Sequence, residues 1–274
     1  QFEDDGSPAQ TETVSSDEEA FDVAWETQSG TPMIFWGTAA NTILSREFSS
    51  GAWQAENTVY NTGFTGDVEW IMASADPVST SNYIALAMQE TDSDAVNEVS
   101  DCEFGVWDGS AGVTRPTAVS CRGDFVGRLN AVAFENTGSR AVWFYAPSES
   151  GTTGNTPAYR TWTSGGGFTS SSALSGDLSG NVESVQLHAD LNTTSMIGLT
   201  ADSAGDLNHW EWDGSSWSSL ATDLHSNIQN SAENAEAYGF GFDRNLEKQV
   251  AYRWFDNSGT VAVSAAIGAQ DTPA

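Results

Sequence analysis

The chain has 274 residues, with 9 Lys or Arg against 38 Asp or Glu, and a formal net charge of −29. Nucleic-acid binding is excluded, because no basic patch could neutralise phosphates, and anionic membrane surfaces would repel the chain. With 39% hydrophobic residues and 11 Trp the chain reads as folded rather than disordered, and no apolar run is long enough to span a membrane.

Taken in chain order, the elements repeat. Residues 9–15, in "AQTETVSSDEEAFDVAW", read as a short strand leading into a first hairpin, "FDVAWETQSGTPMIFWG" at 21. Four further hairpins begin alike: "DVEWIMASADPVSTSNYIALAMQE" at 67, "LNAVAFENTGSRAVWFYAP" at 129, "VESVQLHADLNTTSMIGLTAD" at 182 and "AEAYGFGFDRNLEKQVAYRWF" at 235. Each is an apolar run, a turn of Gly, Ser, Asn or Asp, and a second apolar run. A second hairpin follows the first four, with Phe48, Trp107, Trp162 or Trp212 closing its leading strand. The Asp-Gly-Ser turns after these aromatics supply the positive φ that tight hairpins need. No helical periodicity of useful length is present.

Four short antiparallel strands every fifty or so residues predict an all-β chain, a five-bladed β-propeller of four-stranded blades. The expected blades are residues 20–60, 66–121, 128–175, 181–224 and 234–267 within a single domain of residues 1–274. The last blade is one strand short, so the strand at 9–15 is expected to complete it and remove a free edge. The same strand could instead add to a neighbouring molecule and build a filament.

Folding the hairpin 102–121 about its turn places Cys102 opposite Cys121, which predicts a disulfide and an oxidising, extracellular setting. The opening QFEDDGSPAQ is acidic and polar and lacks an initiating Met, which reads as a processed, secreted chain. The carboxylate-rich surface fits a saline habitat, where screening removes self-repulsion, or the collection of divalent cations.

Aligned strand starts give one polar residue per blade: Asp22, Glu69, Asn130, Glu183 and Glu236. These could ring one mouth of a central channel, as a cation or ligand site or as the carboxylates of a glycoside hydrolase. Wet strand starts in an acidic chain explain them equally well. A loop with Asp92, Asp94 and Glu103 at EF-hand-like spacing is a weak candidate for Ca²⁺, since it lacks the turn Gly and the flanking helices. Asn192 begins an Asn-Thr-Thr sequon in a predicted turn and is a possible glycosylation site. His188, His209 and His225 fall at unrelated repeat positions, so no triad or metal spacing can be built from them. No phosphate-cradling glycine motif is present, so no nucleotide cofactor is expected. The aromatics could stack on sugar rings, but their recurrence once per blade suits packing between blades better.

The segments "FDVAWETQSGTPMIFWG", "AYRTW" and "WDGSSW" resemble a group of uncharacterised secreted bacterial repeat proteins, some of them prepilin-like or cell-surface proteins. The resemblance implies a secreted propeller and hints at surface appendages; it carries over no catalytic residue. The first expectation is therefore a non-enzymatic extracellular structural or adhesive protein that self-associates into a surface filament. The alternatives are a carbohydrate-binding, lectin-like propeller and a glycoside hydrolase using the channel-mouth carboxylates.

Overall fold

The computed structural model describes residues 19–38, 42–62, 66–90, 101–110, 113–114, 119–121, 127–137, 139–147, 155–176, 178–225, 238–242, 249–255, 261–263 and 267–268. These form five antiparallel sheets of four or five strands, one after another along the chain. The first holds β1 (Phe21–Trp25), β2 (Pro32–Gly37), β3 (Thr42–Ser49), β4 (Ala52–Trp53) and β5 (Asn57–Asn61). The second holds β6 (Val68–Ala75), β7 (Ile84–Glu90), β8 (Asp101–Trp107), β9 (Val113–Thr114) and β10 (Val119–Ser120). The third holds β11 (Asn130–Phe134), β12 (Arg140–Tyr145), β13 (Ala158–Thr163), β14 (Gly167–Phe168) and β15 (Ser172–Ala173). The fourth holds β16 (Val182–Ala189), β17 (Met196–Asp202), β18 (Leu207–Trp212) and β19 (Trp217–His225). The fifth holds β20 (Tyr238–Phe242), β21 (Gln249–Phe255), β22 (Val261–Val263) and β23 (Ile267–Gly268). The expected closing strand at 9–15 lies outside the described residues.

Second strands such as β7 (IALAMQE) and β17 (MIGLTAD) are buried along their whole length, because each is covered on both faces by neighbouring sheets. The first strands β1, β6, β11 and β16 lie beside one another in chain order. The core sits between sheets. One apolar cluster joins the first two sheets through Phe35, Ile43, Ile84, Leu86 and Met88. A second runs from the second sheet to the fourth through Phe104, Trp143, Phe144, Val185 and Trp210. Where the third and fourth sheets meet there is no room for a side chain: a Cβ on Gly198 would stand 2.9 Å from the ring of Phe144.

Cys102 and Cys121 form a disulfide with their Cα atoms 5.5 Å apart. They are not directly opposed, as the hairpin pairing suggested. Cys102 pairs in register with Val119, and Cys121 lies just past β10, where it forms an isolated backbone bridge with Pro147, just past β12. The disulfide therefore pins the end of the second sheet where the chain leaves for the third.

One position recurs in each described first hairpin. An acidic residue follows the first strand: Glu26, Asp76, Glu135 and Asp190. Each donates its backbone N–H at 2.9 Å to the carbonyl of Thr31, Tyr83, Arg140 and Ser195 respectively, which closes the turn. All four side chains are buried. Asp76 and Asp190 accept the N–H two residues on, of Val78 and Asn192, in short Asp-type turns.

Counting back from this closing acid fixes how the sheets face one another. Side chains four and two residues before it reach forward. Asp22 accepts the N–H of Ala73, Ser74 accepts that of Phe134, and Gln186 donates to the carbonyl of Tyr238. Asn130, five residues before it, reaches back to donate to the carbonyl of Met88, and Tyr238 in β20 shares a hydrogen bond with Ser184 of the sheet before. β6, β11 and β16 thus lie between the sheets before and after them, while one face of β1 is exposed.

Candidate functional site

The boundaries between sheets one and two, two and three, and three and four are built on one frame. Each has the closing acid of the earlier sheet and a Trp at the end of the third strand of the later one. Trp107 packs on Phe35 at 6.3 Å, Trp162 on Tyr83 at 5.0 Å, and Trp212 on Tyr159 at 5.6 Å. Trp107 Nε1 donates to Glu26 Oε1 at 2.9 Å, and Trp212 Nε1 to Glu135 Oε1 at 2.7 Å. The Trp thus joins neighbouring sheets by ring packing and, at two boundaries, by a buried hydrogen bond to a carboxylate.

What varies within the frame marks one boundary out. The residue whose carbonyl takes the closing acid's N–H is Thr31, Tyr83 or Arg140. The residue paired with the Trp across the outer turn is Val113, Phe168 or Trp217. The third-strand residue facing Phe35, Ala87 or Phe144 is Ser45, Phe104 or Tyr159. Only the boundary between sheets three and four combines a cation, Arg140, with Tyr159 and Trp217, both half-buried.

At that boundary Arg140 donates to the carbonyl of Gly214 at 2.7 Å, lies 3.5 Å from Glu135 Oε1, and covers the Trp212 ring at 5.7 Å. Trp217 stacks on Phe144 at 5.1 Å and meets Tyr159 at 6.1 Å. Burial pushes the Glu135 carboxyl above its ordinary range, against the pull of the Trp212 N–H and Arg140. The neighbouring turn holds Gly214 at φ 95°, and Asp213 is brought down to about 2 by the N–H and hydroxyl groups of Ser216 and Ser215. Among the described residues, Glu135 Oε2 and Trp217 Nε1 are buried without a hydrogen-bond partner. A cationic donor beside the half-buried rings of Tyr159 and Trp217 suits a ring-shaped ligand that carries hydroxyls and an apolar face.

The predicted polar ring is placed differently. Glu69 and Glu183 stand seven residues before their closing acids, where β-bulges interrupt the register of β6 and β16. The residues seven before the closing acids of sheets one and three are Glu19 and Arg128, not Asp22 and Asn130. Asp22, four back, is held by the N–H groups of Val23 and Ala73, and burial raises its pKa. Asn130, five back, is buried with its amide engaged by Met88. Glu236 lies outside the described residues. Arg128, which the sequence reading passed over, pairs with Glu19 and lies over the Trp70 ring at 5.1 Å. Its charge also bears on Asp22 and His188.

Asp92 and Asp94 lie outside the described residues, and Glu103 is buried in β8. Among the described residues no cluster of His, Cys, Asp or Glu could hold a metal ion. Asn192 is exposed in the turn after β16. No helix among them is long and apolar enough to cross a membrane.

No family model matches the sequence, and no curated protein matches it. Solved structures do. The BP39L lectin from Burkholderia pseudomallei is 12% identical with a TM-score of 0.66, over 92% of this chain and 68% of that one. Aleuria aurantia lectin in complex with α-methyl-L-fucoside is 13% identical with a TM-score of 0.52, over 93% of this chain and 79% of that one. AofleA from Arthrobotrys oligospora is 14% identical with a TM-score of 0.52, over 91% of this chain and 68% of that one. The Aleuria lectin is described as a six-bladed β-propeller with a novel fucose recognition mode. The chain has the β-propeller fold.

Proposed function

We propose that the chain is a sugar-binding β-propeller whose five sheets are five blades of one ring, with the glycan seated between the third and fourth. The observation that carries this is the difference among three equivalent boundaries: one alone has Arg140, Tyr159 and Trp217 on the shared frame of closing acid and Trp. Arg140 donates to a sugar hydroxyl, held in place by the buried Glu135 behind it, and the ring's apolar face lies on Trp217 and Tyr159. The lectin names of the structural neighbours favour this reading over the filament subunit that the sequence first suggested. The Cys102–Cys121 disulfide supports a place outside the reducing cytosol.

The test is titration of the purified protein against a glycan panel that includes fucosides, followed by calorimetry on any hit. Arg140→Ala should weaken binding by roughly tenfold to a hundredfold, the worth of one charge-assisted hydrogen bond. Binding to no glycan, or binding that Arg140→Ala and Trp217→Ala both leave unchanged, overturns the proposal.

A further inference from the structure

We infer that Asn192 carries an N-linked oligosaccharide that stands over the boundary between the third and fourth sheets and shields Arg140 from soluble ligands. That the shielded place is a sugar site rests on the lectin reading; the attachment and its position do not. Asn192-Thr193-Thr194 is the one Asn-x-Ser/Thr triplet in the sequence. Its turn is fixed from below by the buried Asp190, whose Oδ1 accepts the N–H of Asn192 and whose Oδ2 accepts the Thr193 hydroxyl, at 2.9 Å each. With the backbone held in this way Asn192 is exposed, and among the described residues no hydrogen bond engages its side-chain amide.

The same turn lies against the site. Pairing in register sets Ala189, Met196, Trp212 and Trp217 in one row across the fourth sheet. The turns after Ala189 and after Trp212 therefore leave the same end of it. Thr194 fills the space beside Gly214, where a Cβ would stand 2.5 Å from the Thr194 hydroxyl. The carbonyl of Gly214 is the one to which Arg140 donates at 2.7 Å. On the other side, the Leu191 carbonyl accepts from the side-chain amide of Asn136, in the turn that ends at Arg140. Asn192 thus stands between two residues that touch the surroundings of the cation, at most about 7 Å along the chain from Thr194. A branched oligosaccharide is longer than that span and far bulkier than the side chains at the mouth. Leu191 is 56% exposed, and a sugar on its neighbour would cover that apolar surface. The transfer itself is a substitution. Asn192 Nδ2 forms a bond to the anomeric carbon of the sugar, and the bond from that carbon to the phosphate of a lipid-linked donor breaks. The phosphate leaves with the electron pair, and one amide proton is lost to solvent. The lipid ties the donor to a membrane, so transfer accompanies export, and the Cys102–Cys121 disulfide points to the same route.

The test is secretion of the chain from a yeast host beside an Asn192→Gln variant, with glycopeptide mass spectrometry. Asn192 should be occupied. Two readouts then compare the glycosylated protein with the variant. The dissociation constant for a sugar found by the glycan panel should be roughly fivefold lower in the variant, the ratio for a mouth left open about a fifth of the time. Phenylglyoxal should modify Arg140 faster in the variant by the same order, and Arg46 of the first sheet equally in both. If the variant fails to fold, endoglycosidase trimming of the wild type supplies the comparison. An unoccupied Asn192 overturns the inference. So does an occupied one with equal Arg140 labelling, or with equal dissociation constants when a sugar binds. Where no glycan binds either form, the lectin reading falls and the labelling of Arg140 alone decides the shielding.

Discussion

Replacing Trp212 with Phe should destabilise the protein more at neutral pH than at mildly acidic pH. The substitution keeps an aromatic ring against Tyr159 and Trp217 but removes the N–H that Glu135 Oε1 accepts at 2.7 Å. The Glu135 side chain is wholly buried, and its other oxygen has no partner among the described residues. Its carboxyl already titrates above the ordinary 4.5, and losing the indole removes a group that holds it down, so it rises further. A carboxyl raised in the folded state binds more protons folded than unfolded between the two pKa values. Its penalty therefore appears as pH climbs above 4.5 and is complete above the folded pKa. The smaller ring should cost about 1 kcal/mol at any pH. The lost charge-assisted bond should add about 2 kcal/mol near pH 8 and little near pH 5. Urea unfolding of both proteins at the two pH values, with unchanged m, measures the difference. An equal penalty at both pH values, or a larger one in acid, would show that Trp212 does not support an ionised Glu135.

Two further outcomes are expected from the same measurements. Cys102→Ser with Cys121→Ser should cost about 3 kcal/mol, given the separation of 19 residues, and reductant should reproduce that loss in the wild type alone. His209 is buried, with neither ring nitrogen partnered among the described residues, and burial takes it down to about 4. Because its folded pKa lies below the unfolded value of 6.5, stability should fall as pH drops from about 6.5 to about 4. His209→Met should remove up to roughly 3 kcal/mol of that acid sensitivity; an unchanged pH slope would refute it.

The repeat, the hairpins and the cysteine pair were legible because each is local. A turn of Asp, Gly and Ser after an aromatic needs only its own residues, and Gly109 and Gly214 do take positive φ in two such turns. Alignment of the first strands was not legible from their starts. Bulges at Glu69 and Glu183 insert an extra residue into β6 and β16, so matching by strand start set Asp22 and Asn130, which sit in regular pairing, against residues that have no partner in register. Matching by the closing acid would have found the register as far as those bulges, since Glu26, Asp76, Glu135 and Asp190 all precede a turn. The cluster of Arg140, Glu135, Tyr159 and Trp217 was illegible for another reason. Glu135 and Trp212 are 77 residues apart and meet only once two sheets have packed. The outer turn at Asp213–Trp217 looked like one more packing hairpin. It is one, since Trp212 and Trp217 both pack on the third sheet, but it also lies beside the boundary where Arg140 meets Tyr159 and Trp217.

The sheets are tied together in two chemically different ways, and these should leave different marks as the sequence drifts. Between the second and third sheets, Trp143 donates to the carbonyl of Leu86, Asn130 to that of Met88 and Gln89 to that of Gly127. In these three bonds the acceptor is backbone, so the residue supplying it can change identity without breaking the bond. Between the first and second sheets, and again between the third and fourth, the tie is side chain to side chain: Glu26 with Trp107, Glu135 with Trp212. Neither partner can be replaced alone without stranding the other in a buried place. Among descendants of this chain, positions 26 with 107 and 135 with 212 should change in step, while positions 86 and 88 wander freely among apolar residues.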